Sequence, residues 1–223
     1  MSRRALEVYQ YAAPLVLAPL TLWLWWRTLR HDVALTLLAW AVPIVHAYVV
    51  PAVGTNVLGV WEFATRWRIG RFRPHHGFVF GSATALLAWC CYAGPARDAY
   101  DVARQALVFA SVFGFWNLLY DVAAIESGLL RVYNQPWADG RGAEAIAFDY
   151  APWFFAGFGA VYGAGLGIAE VLAQQGQLTP VLGATAFVVT LALGMALPVW
   201  GYRQRSFAHH GHSGCRPVAK RAS

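Results

Sequence analysis

The sequence has little charge, one lysine and three cysteines, and each shortage excludes a class of protein. Charged residues make up 13% of the chain, against about 25% in a soluble domain, so an ordinary soluble domain is excluded. Lys220 is the single lysine and lies outside every apolar run, which excludes a retinal Schiff base. Cys90 and Cys91 are adjacent and Cys215 is near the end, which gives no disulfide framework. The sequence also lacks Walker, HExxH and GxSxG motifs, so it indicates no soluble-type hydrolase and no cofactor.

Apolar and aromatic residues are abundant instead, at 58% and 15% of the chain. Six segments approach the roughly 20 residues that cross a bilayer, and in hydrocarbon all six must be helices. They lie near residues 9–26, 33–54, 77–95, 105–126, 152–173 and 180–201. The sequence therefore predicts an all-α polytopic membrane bundle of six helices over residues 1–202. Residues 203–223 are predicted to form a basic, disordered cytoplasmic tail.

The positive charges lie between the apolar segments, which favours membrane orientation over nucleic-acid binding. Thirteen of the 17 cations fall at the two termini and in the second and fourth loops, and four fall in the first and third loops. Both termini are therefore expected in the cytoplasm, with the protein in a bacterial inner (plasma) membrane. The loop from Gly54 to His76 mixes aromatic residues with four arginines, which predicts an amphipathic segment in the cytoplasmic interface.

Asp121, about one turn from the cytoplasmic end of span four, is the strongest catalytic candidate. Asn117 is four residues earlier, so both side chains face one side of the helix and could hydrogen-bond each other or orient a ligand. The competing interpretation is a polar contact between helices, which is common in membrane bundles.

Other ionisable residues are weaker candidates. His46, at the middle of span two, could act as an acid or a base. Glu62 is flanked by aromatic residues and could be a carboxylate at a pocket mouth or simply pair with Arg66. Glu126 is roughly 140° around the helix from Asp121 and could be solvated. Glu170, near the outer end of span five, is expected to be interfacial.

Histidines near the cytoplasmic side have simpler interpretations. His75 and His76 point in different directions and are expected to contact lipid phosphates rather than a metal. The tail histidines His209, His210 and His212, with Cys215, could bind a soft metal ion, although a flexible tail offers no preformed site. No metal is assigned to either group.

A stripe of small residues lies along span five, at Gly159, Gly163 and Gly167. Such a stripe lets another helix approach closely. It predicts packing within the bundle or, alternatively, a helix–helix partner.

The order of short motifs resembles the emopamil-binding protein family, which are membrane isomerases of the sterol Δ8–Δ7 type with five spans. The resemblance covers about residues 10–172 and is carried by Trp40 and His46, Val57-Leu58-Gly59, Trp61-Glu62, Tyr120-Asp121, Glu126 and Pro152-Trp153-Phe154-Phe155. It implies acid–base roles for His46 and Glu126. Val50 stands where the family has an acidic residue, the family's span-three Glu and span-five Asn have no counterpart, and span six is additional.

These observations predict an intramembrane enzyme that isomerises or cyclises an isoprenoid or another apolar lipid. Asp121 would donate the proton, His46 or Glu62 would accept one, and Asn117 would orient the substrate. Trp and Tyr rings could stabilise a developing carbocation. The alternatives are a non-catalytic scaffold or complex subunit and a small-solute transporter, for which His46 is almost the only mid-membrane polar group.

Overall fold

The computed structural model describes residues 3–69, 73–135 and 142–218, and this part of the chain is helical almost throughout. The helices are α1 (Arg3–Thr28), α2 (Val33–Ala52), α3 (His76–Cys91), α4 (Ala99–Glu126), α5 (Ala143–Ala151), α6 (Gly157–Gln174) and α7 (Pro180–His210). Two π-helical turns, Val53–Val57 and Pro152–Ala156, extend α2 and join α5 to α6. The described residues also form two short strands, β1 (Trp61–Phe63) and β2 (Leu130–Val132). The predicted helical fold class is confirmed.

Within the described residues, four helical segments are long and apolar enough to cross a membrane, as expected of an integral membrane protein. They are Val33–Val57, Ala99–Glu126, Ala143–Gln174 and Pro180–His210. Helix α3 is apolar but has 16 residues, fewer than the roughly 20 that span a bilayer. Leu107 and Phe115 on α4, and Val181 and Val188 on α7, are exposed large apolar side chains. Surfaces of this kind suit contact with lipid rather than water.

Helices α2, α3, α4, α6 and α7 pack around a ring, and α1 packs against this ring through α3 and α2. Helix α1 packs against α3, α3 against α2, α2 against α7, α7 against α6, and α6 against α4, which returns to α3. Tyr162 lies at the centre, where its ring contacts Phe109, Phe113 and Phe158 and its hydroxyl donates to the Ala39 carbonyl. An aromatic cluster of this kind provides a large buried apolar area that holds α2, α4 and α6 together.

The glycine stripe of α6 is an intramolecular packing surface. A methyl group on Gly159 would lie 2.6 Å from the Phe109 carbonyl oxygen, and one on Gly163 would lie 2.8 Å from the Ala106 Cα. Gly167 faces Val102 in the same way. The stripe therefore lets α6 approach α4, and this face is not available to another chain.

One end of the bundle is built from loops that are far apart in sequence. Strands β1 and β2 pair antiparallel, with Glu62 opposite Arg131. The Val218 N–H donates to the Tyr133 carbonyl oxygen at 2.8 Å, which adds the C-terminal segment to this end. In its described part, the predicted interfacial segment 54–76 thus begins with a π-helical turn and a strand. The sequence did not predict the strand, because three residues are too few to show an alternating apolar pattern.

The chain departs from the predicted tail at residues 203–218. Helix α7 continues to His210 instead of ending near residue 201, and Gly211 ends it in a left-handed conformation with φ 71°. Arg205 Nε lies 3.2 Å from Asp149 Oδ1, so a buried carboxylate fixes this part of the helix. Residues 211–218 then pack back on the bundle, which contradicts the predicted disorder there, whereas residues 219–223 lie outside the described residues.

The opposite end is held together by Glu170, which is 1% exposed and therefore not interfacial as predicted. Tyr92 Oη donates to Glu170 Oε1 at 2.6 Å, and the Ala96 N–H donates to Oε2 at 3.0 Å. Gln174 Nε2 donates to the Ala96 carbonyl oxygen at 2.6 Å. Both oxygens of the carboxylate have donors, so Glu170 fixes the α3–α4 connection against α6.

Candidate functional site

A cavity of about 260 Å³ lies inside the bundle at the end that carries the strands. Its wall is mainly apolar, with aromatic rings from Trp61, Phe63, Phe80, Phe113, Phe154, Phe155 and Phe158. The polar lining residues are His46, Thr84, Asn117, Asp121, Asn134, Tyr150, Tyr202 and Cys215. An apolar cavity with a few polar groups is the usual form of a site for a small molecule.

Both π-helical turns form part of the cavity wall, through Gly54 in the first and Phe154 and Phe155 in the second. The Leu58 N–H donates to the Val53 carbonyl oxygen, a bond to the fifth residue back. Pro51 and Pro152 have no N–H to donate to the carbonyl oxygen four residues back, which interrupts the helical hydrogen bonds at these places. Single π turns are frequent at functional sites because they re-aim side chains within a helix.

Asp121 lies in this cavity and is 5% exposed. Tyr150 Oη donates a hydrogen bond to Asp121 Oδ2 at 2.7 Å, from α5 to α4. The predicted partner, Asn117, instead donates from Nδ2 to the Phe113 carbonyl oxygen at 2.9 Å. Of the two possibilities for Asn117, a hydrogen bond to Asp121 is therefore not present, and both residues line the same cavity.

His46 also lines the cavity. Its ring stacks on Phe158, with ring centroids 3.8 Å apart and an interplanar angle of 21°. The backbone of Gly194 on α7 contacts the ring as well. Three predicted site residues from two helices, His46 on α2 and Asn117 and Asp121 on α4, thus line one cavity.

Glu62 and Glu126 are not lining residues of this cavity. Glu62 Oε1 lies 3.3 Å from Arg73 Nη2 and 3.7 Å from Arg68 Nη1, and within the described residues it has no contact with its predicted partner Arg66. Arg73 also donates from Nε to the Phe63 carbonyl oxygen at 3.0 Å, so Glu62 and Arg73 fix β1. Glu126 is exposed at the end of α4, in agreement with the solvated alternative.

His75 and His76 are buried instead of facing lipid phosphates as expected. The His75 ring stacks on Trp67 and Tyr11, with centroids 5.2 and 5.3 Å away. Both His75 nitrogens lack a hydrogen-bond partner among the described residues. Burial, together with the positive charge of Arg73, lowers the pKa of His75, so a neutral imidazole is the stable form in the folded protein.

The tail histidines form no metal site in the described residues, since no group of three or more metal-ligating side chains is present there. His210 Nε2 lies 3.4 Å from Asp149 Oδ1, and the Gly214 N–H donates to His212 Nδ1 at 3.0 Å. These contacts direct the imidazoles to the protein itself. Burial is the main cause that lowers the pKa of His212, with His210 and Arg216 adding to it.

Sequence reasoning missed Tyr150, Tyr202 and Gly214 as cavity residues. Tyr150 lies just before the predicted start of span five, and Tyr202 and Gly214 lie in or next to the predicted tail. Asn134 also lines the cavity. Asn134 Nδ2 donates to Tyr202 Oη at 3.0 Å and to the Gly214 carbonyl oxygen at 2.6 Å. No local pattern in the sequence could have pointed to these residues, because they come from separate segments of the chain.

The site thus combines one buried carboxyl group, one imidazole and an aromatic wall, which suits proton transfer to and from an apolar molecule. No protein-family model matches the chain, and comparisons with curated proteins and with solved structures found no match.

Proposed function

We propose that the protein is an integral membrane enzyme that isomerises or cyclises an isoprenoid or another apolar lipid by acid–base chemistry. The observation that carries the proposal is the position of Asp121 in an apolar, aromatic cavity that also contains His46 and Asn117. A carboxyl group in apolar surroundings is more stable as the neutral acid, which is the form that donates a proton.

In the isomerisation, the Asp121 carboxyl group transfers its proton to one carbon of a double bond, whose electron pair forms the new C–H bond. The positive charge on the neighbouring carbon faces aromatic rings, whose electron-rich faces attract cations. Neutral His46 then removes a proton from an adjacent carbon, and that C–H electron pair forms the new double bond. Return of the proton from imidazolium to the Asp121 carboxylate closes the cycle.

Tyr150 and Asn117 have supporting roles in this proposal. The hydroxyl of Tyr150 holds Oδ2 of Asp121, which leaves Oδ1 to carry the acidic proton. Asn117 donates to a helix carbonyl through Nδ2, so its Oδ1 is the part that can orient a substrate. Glu62 is engaged by Arg73, which favours His46 over Glu62 as the base.

The six-span topology with both termini in the cytoplasm of a bacterial inner membrane is part of the proposal. The β1–β2 pair and the Val218–Tyr133 hydrogen bond support it. They bring the second loop, the fourth loop and the C-terminal segment to one end of the bundle, and the charges predict that all three lie on the cytoplasmic side. A reporter active only outside the cytoplasm, fused after Ser223, should stay inactive. Strong reporter activity would contradict this orientation.

The resemblance to the emopamil-binding protein family supports the same reaction class. It assigns an acid–base role to His46, which the cavity also favours. It assigns a similar role to Glu126, and the exposed position of that residue supports Asp121 instead. The proposal therefore rests on the cavity for its choice of proton donor.

Two experiments test the proposal. Lipids extracted from the purified protein and analysed by mass spectrometry should include an unsaturated apolar lipid, which serves as the substrate in a turnover assay. Asp121→Asn keeps a hydrogen-bonding side chain but removes the acid, so turnover should fall roughly 100-fold or more. Glu126→Gln removes an exposed acid from the same helix and should leave turnover unchanged. Full activity in Asp121→Asn would contradict the proposal.

A non-catalytic scaffold is the second candidate, and the hydrogen bond between Tyr150 and Asp121 favours it because a polar contact between helices can be purely structural. A partner would have to bind another face than the stripe at Gly159, Gly163 and Gly167, which α4 covers. Equal destabilisation by Asp121→Asn and Asp121→Leu would favour this candidate.

A further inference from the structure

We infer that the cavity opens sideways to the bilayer between α2 and α7, and that a neutral apolar lipid enters there from the surrounding leaflet. The inference deepens the proposed function, since it rests on the same cavity and names the class and the source of its substrate. The opening is bordered by Val49 on α2, by Val53 in the π turn that extends α2, and by Met195 and Val199 on α7.

The exposure of the lining residues locates the opening. Val49 and Val53 are 37% and 42% exposed, and every other described residue that lines the cavity is buried or half-buried. The two valines are four residues apart, so their side chains lie on one face of the helix. A side chain that is exposed and also lines a cavity lies at the rim of an entrance. Met195 and Val199, also four residues apart, are half-buried on the facing helix.

Helices α2 and α7 are in contact over the part of their length that precedes the opening. A methyl group on Gly183, near the start of α7, would lie 2.8 Å from the Ala34 Cβ near the start of α2. Farther along, the backbone of Gly194 contacts the His46 ring. Both contacts advance in the same direction along the chain, so the two helices run side by side to this depth.

Past this depth, α7 packs on another part of the bundle. A methyl group on Gly157, at the start of α6, would lie 3.3 Å from the Pro198 Cγ, and a proline inside a helix is a usual cause of a bend. The face of α2 that meets α7 at His46 continues, by the helical period, at Val49 and Val53. These side chains are exposed because α7 does not cover them.

The opening lies at the depth of the hydrocarbon core. Helix α2 begins after its N-cap Asp32, and Val49 is roughly 24 Å along the helix at about 1.5 Å per residue. Met195 is roughly 22 Å from the start of α7 by the same measure. Both distances fall within the roughly 30 Å core, in the half on the strand side. Trp200, exposed on the next turn of α7, is typical of the membrane boundary.

The end of the cavity next to the strands is closed by polar contacts. Asn134 Nδ2 donates to Tyr202 Oη at 3.0 Å and to the Gly214 carbonyl oxygen at 2.6 Å. The Gln135 side chain hydrogen-bonds to Tyr202 as well. All four residues are buried, so this network separates the cavity from the loops. The apolar rim between α2 and α7 is therefore the route that the structure offers.

The charge of the lining selects a neutral lipid. The described lining residues include no lysine or arginine, and Asp121 is their single carboxyl group. A phosphate or carboxylate needs cationic donors when it leaves water, so an isoprenoid diphosphate or a fatty acid is disfavoured. The aliphatic side chains at the rim suit the passage of a hydrocarbon. Under the proposed topology, the lipid comes from the cytoplasmic leaflet.

The test measures how a reagent reaches a buried thiol in the full chain, reconstituted in phosphatidylcholine vesicles. Ala47 is buried and lines the cavity, so Ala47→Cys supplies the thiol, in a chain that also carries Cys90→Ala, Cys91→Ala and Cys215→Ala. N-dodecylmaleimide is dissolved in the bilayer, and a sulfonated maleimide is supplied to the water on both sides by freeze–thaw. Mass spectrometry gives the alkylation rates. N-dodecylmaleimide should modify the thiol much faster than the sulfonated reagent.

Bulky side chains at the rim should block this reaction. Val49→Trp and Val53→Trp should each slow alkylation by N-dodecylmaleimide roughly tenfold or more, which corresponds to an added barrier of about 1.4 kcal/mol. Val188→Trp is the matched control, because Val188 is exposed on α7 and does not line the cavity. If thermal unfolding shows that the α2 variants do not fold, Val199→Trp blocks the opening from the other side.

Three results would overturn the inference. Equally fast alkylation by the sulfonated maleimide would show that the cavity opens to water. An unchanged rate in folded rim variants would place the entrance elsewhere. A thiol that reacts after unfolding in dodecyl sulfate but not with N-dodecylmaleimide in the bilayer would show that the cavity is closed to lipids. The acid–base proposal is decided separately, since Asp121→Asn should lose turnover of the co-purified lipid and keep the alkylation rate.

Discussion

Tyr150 Oη donates to Asp121 Oδ2 over 2.7 Å, and this hydrogen bond joins the last turn of α5 to α4 inside the apolar cavity. The contact unites the two interpretations of Asp121, because the same bond can hold two helices together and orient an acid. The two residues can be tested separately. Tyr150→Phe removes the hydroxyl and keeps the ring, whereas Asp121→Asn removes the acid and keeps a side chain that can hydrogen-bond.

Substitutions at this pair should separate stability from chemistry. We expect Tyr150→Phe to lower the free energy of unfolding by about 0.5–1.5 kcal/mol, the usual net contribution of a hydrogen bond. Asp121→Leu should lower it by a similar amount, and Asp121→Asn by less. Thermal unfolding in detergent measures the differences. A Tyr150→Phe protein as stable as the wild type would show that the bond does not hold α5.

Glu170 should matter for stability and not for ligand binding. Glu170→Ala removes the acceptor for the buried Ala96 N–H and for Tyr92 Oη, and each unpartnered donor costs about 1–3 kcal/mol. We expect a clearly lower melting temperature, with unchanged binding of the co-purified lipid in the protein that remains folded. Glu126→Ala removes an exposed acid and should melt like the wild type. Equal melting temperatures for the two variants would contradict the role of Glu170.

Gly163 should tolerate no side chain. A methyl group there would lie 2.8 Å from both the Ala106 Cα and the Gln105 carbonyl oxygen, so Gly163→Ala must push α6 away from α4. A destabilisation of about 1–3 kcal/mol is expected for such overpacking. Gly142→Ala is the control, because its methyl group would meet nothing within 4 Å. The melting temperatures of both variants check the prediction, which fails if Gly163→Ala melts at the wild-type temperature.

Stability should decrease as the pH falls below about 6.5. His75 has an ordinary pKa of 6.5 when unfolded, and burial and Arg73 lower its pKa in the folded protein. As the pH falls from 6.5 toward the lower folded pKa, the unfolded chain binds a proton that the folded chain does not, so the free energy of unfolding decreases. His212, whose pKa is also lowered, adds an effect of the same sign.

The variant His75→Phe should reduce this pH dependence, because phenylalanine keeps the stack on Trp67 and Tyr11 but cannot take up a proton. Melting temperatures between pH 5 and pH 7.5 give the slope. His209→Phe, which replaces an exposed imidazole, should leave the slope unchanged. An identical slope in His75→Phe and the wild type would rule out His75 as its source.

The sequence predicted the helical segments well because an apolar run can be recognised without knowing which residues it packs against. Each of the six predicted spans overlaps a helix, and within the described residues four helical segments have the length and hydropathy of a membrane span. Asp121 and Asn117 were placed on one side of α4 by the helical period alone, and both line the cavity. His46 was singled out as a polar residue in an apolar run, and it lies in the same cavity.

Contacts between distant segments were beyond such reasoning. Glu170 was expected at the interface because its position near the end of a predicted span can be read from the sequence. The groups that donate hydrogen bonds to it, Tyr92 Oη and the Ala96 N–H, come from another part of the fold. Glu62 was paired with Arg66 by helical spacing, but Glu62 lies in a strand and meets Arg73. Tyr150 and Tyr202 drew no attention because an aromatic residue at a helix end is ordinary until its neighbours are known.

The amino-acid sequence by itself determined the membrane class, the helices and the face on which Asp121 lies, since hydropathy and helical period are local properties. Only the tertiary structure decided that Asp121 meets Tyr150, that α4 covers the glycine stripe of α6, and that the C-terminal segment forms one end of the cavity. The physical reason is that such a hydrogen bond or cavity wall needs groups from separate helices to lie within a few ångströms of each other. Their meeting depends on how the whole bundle packs and on no single segment.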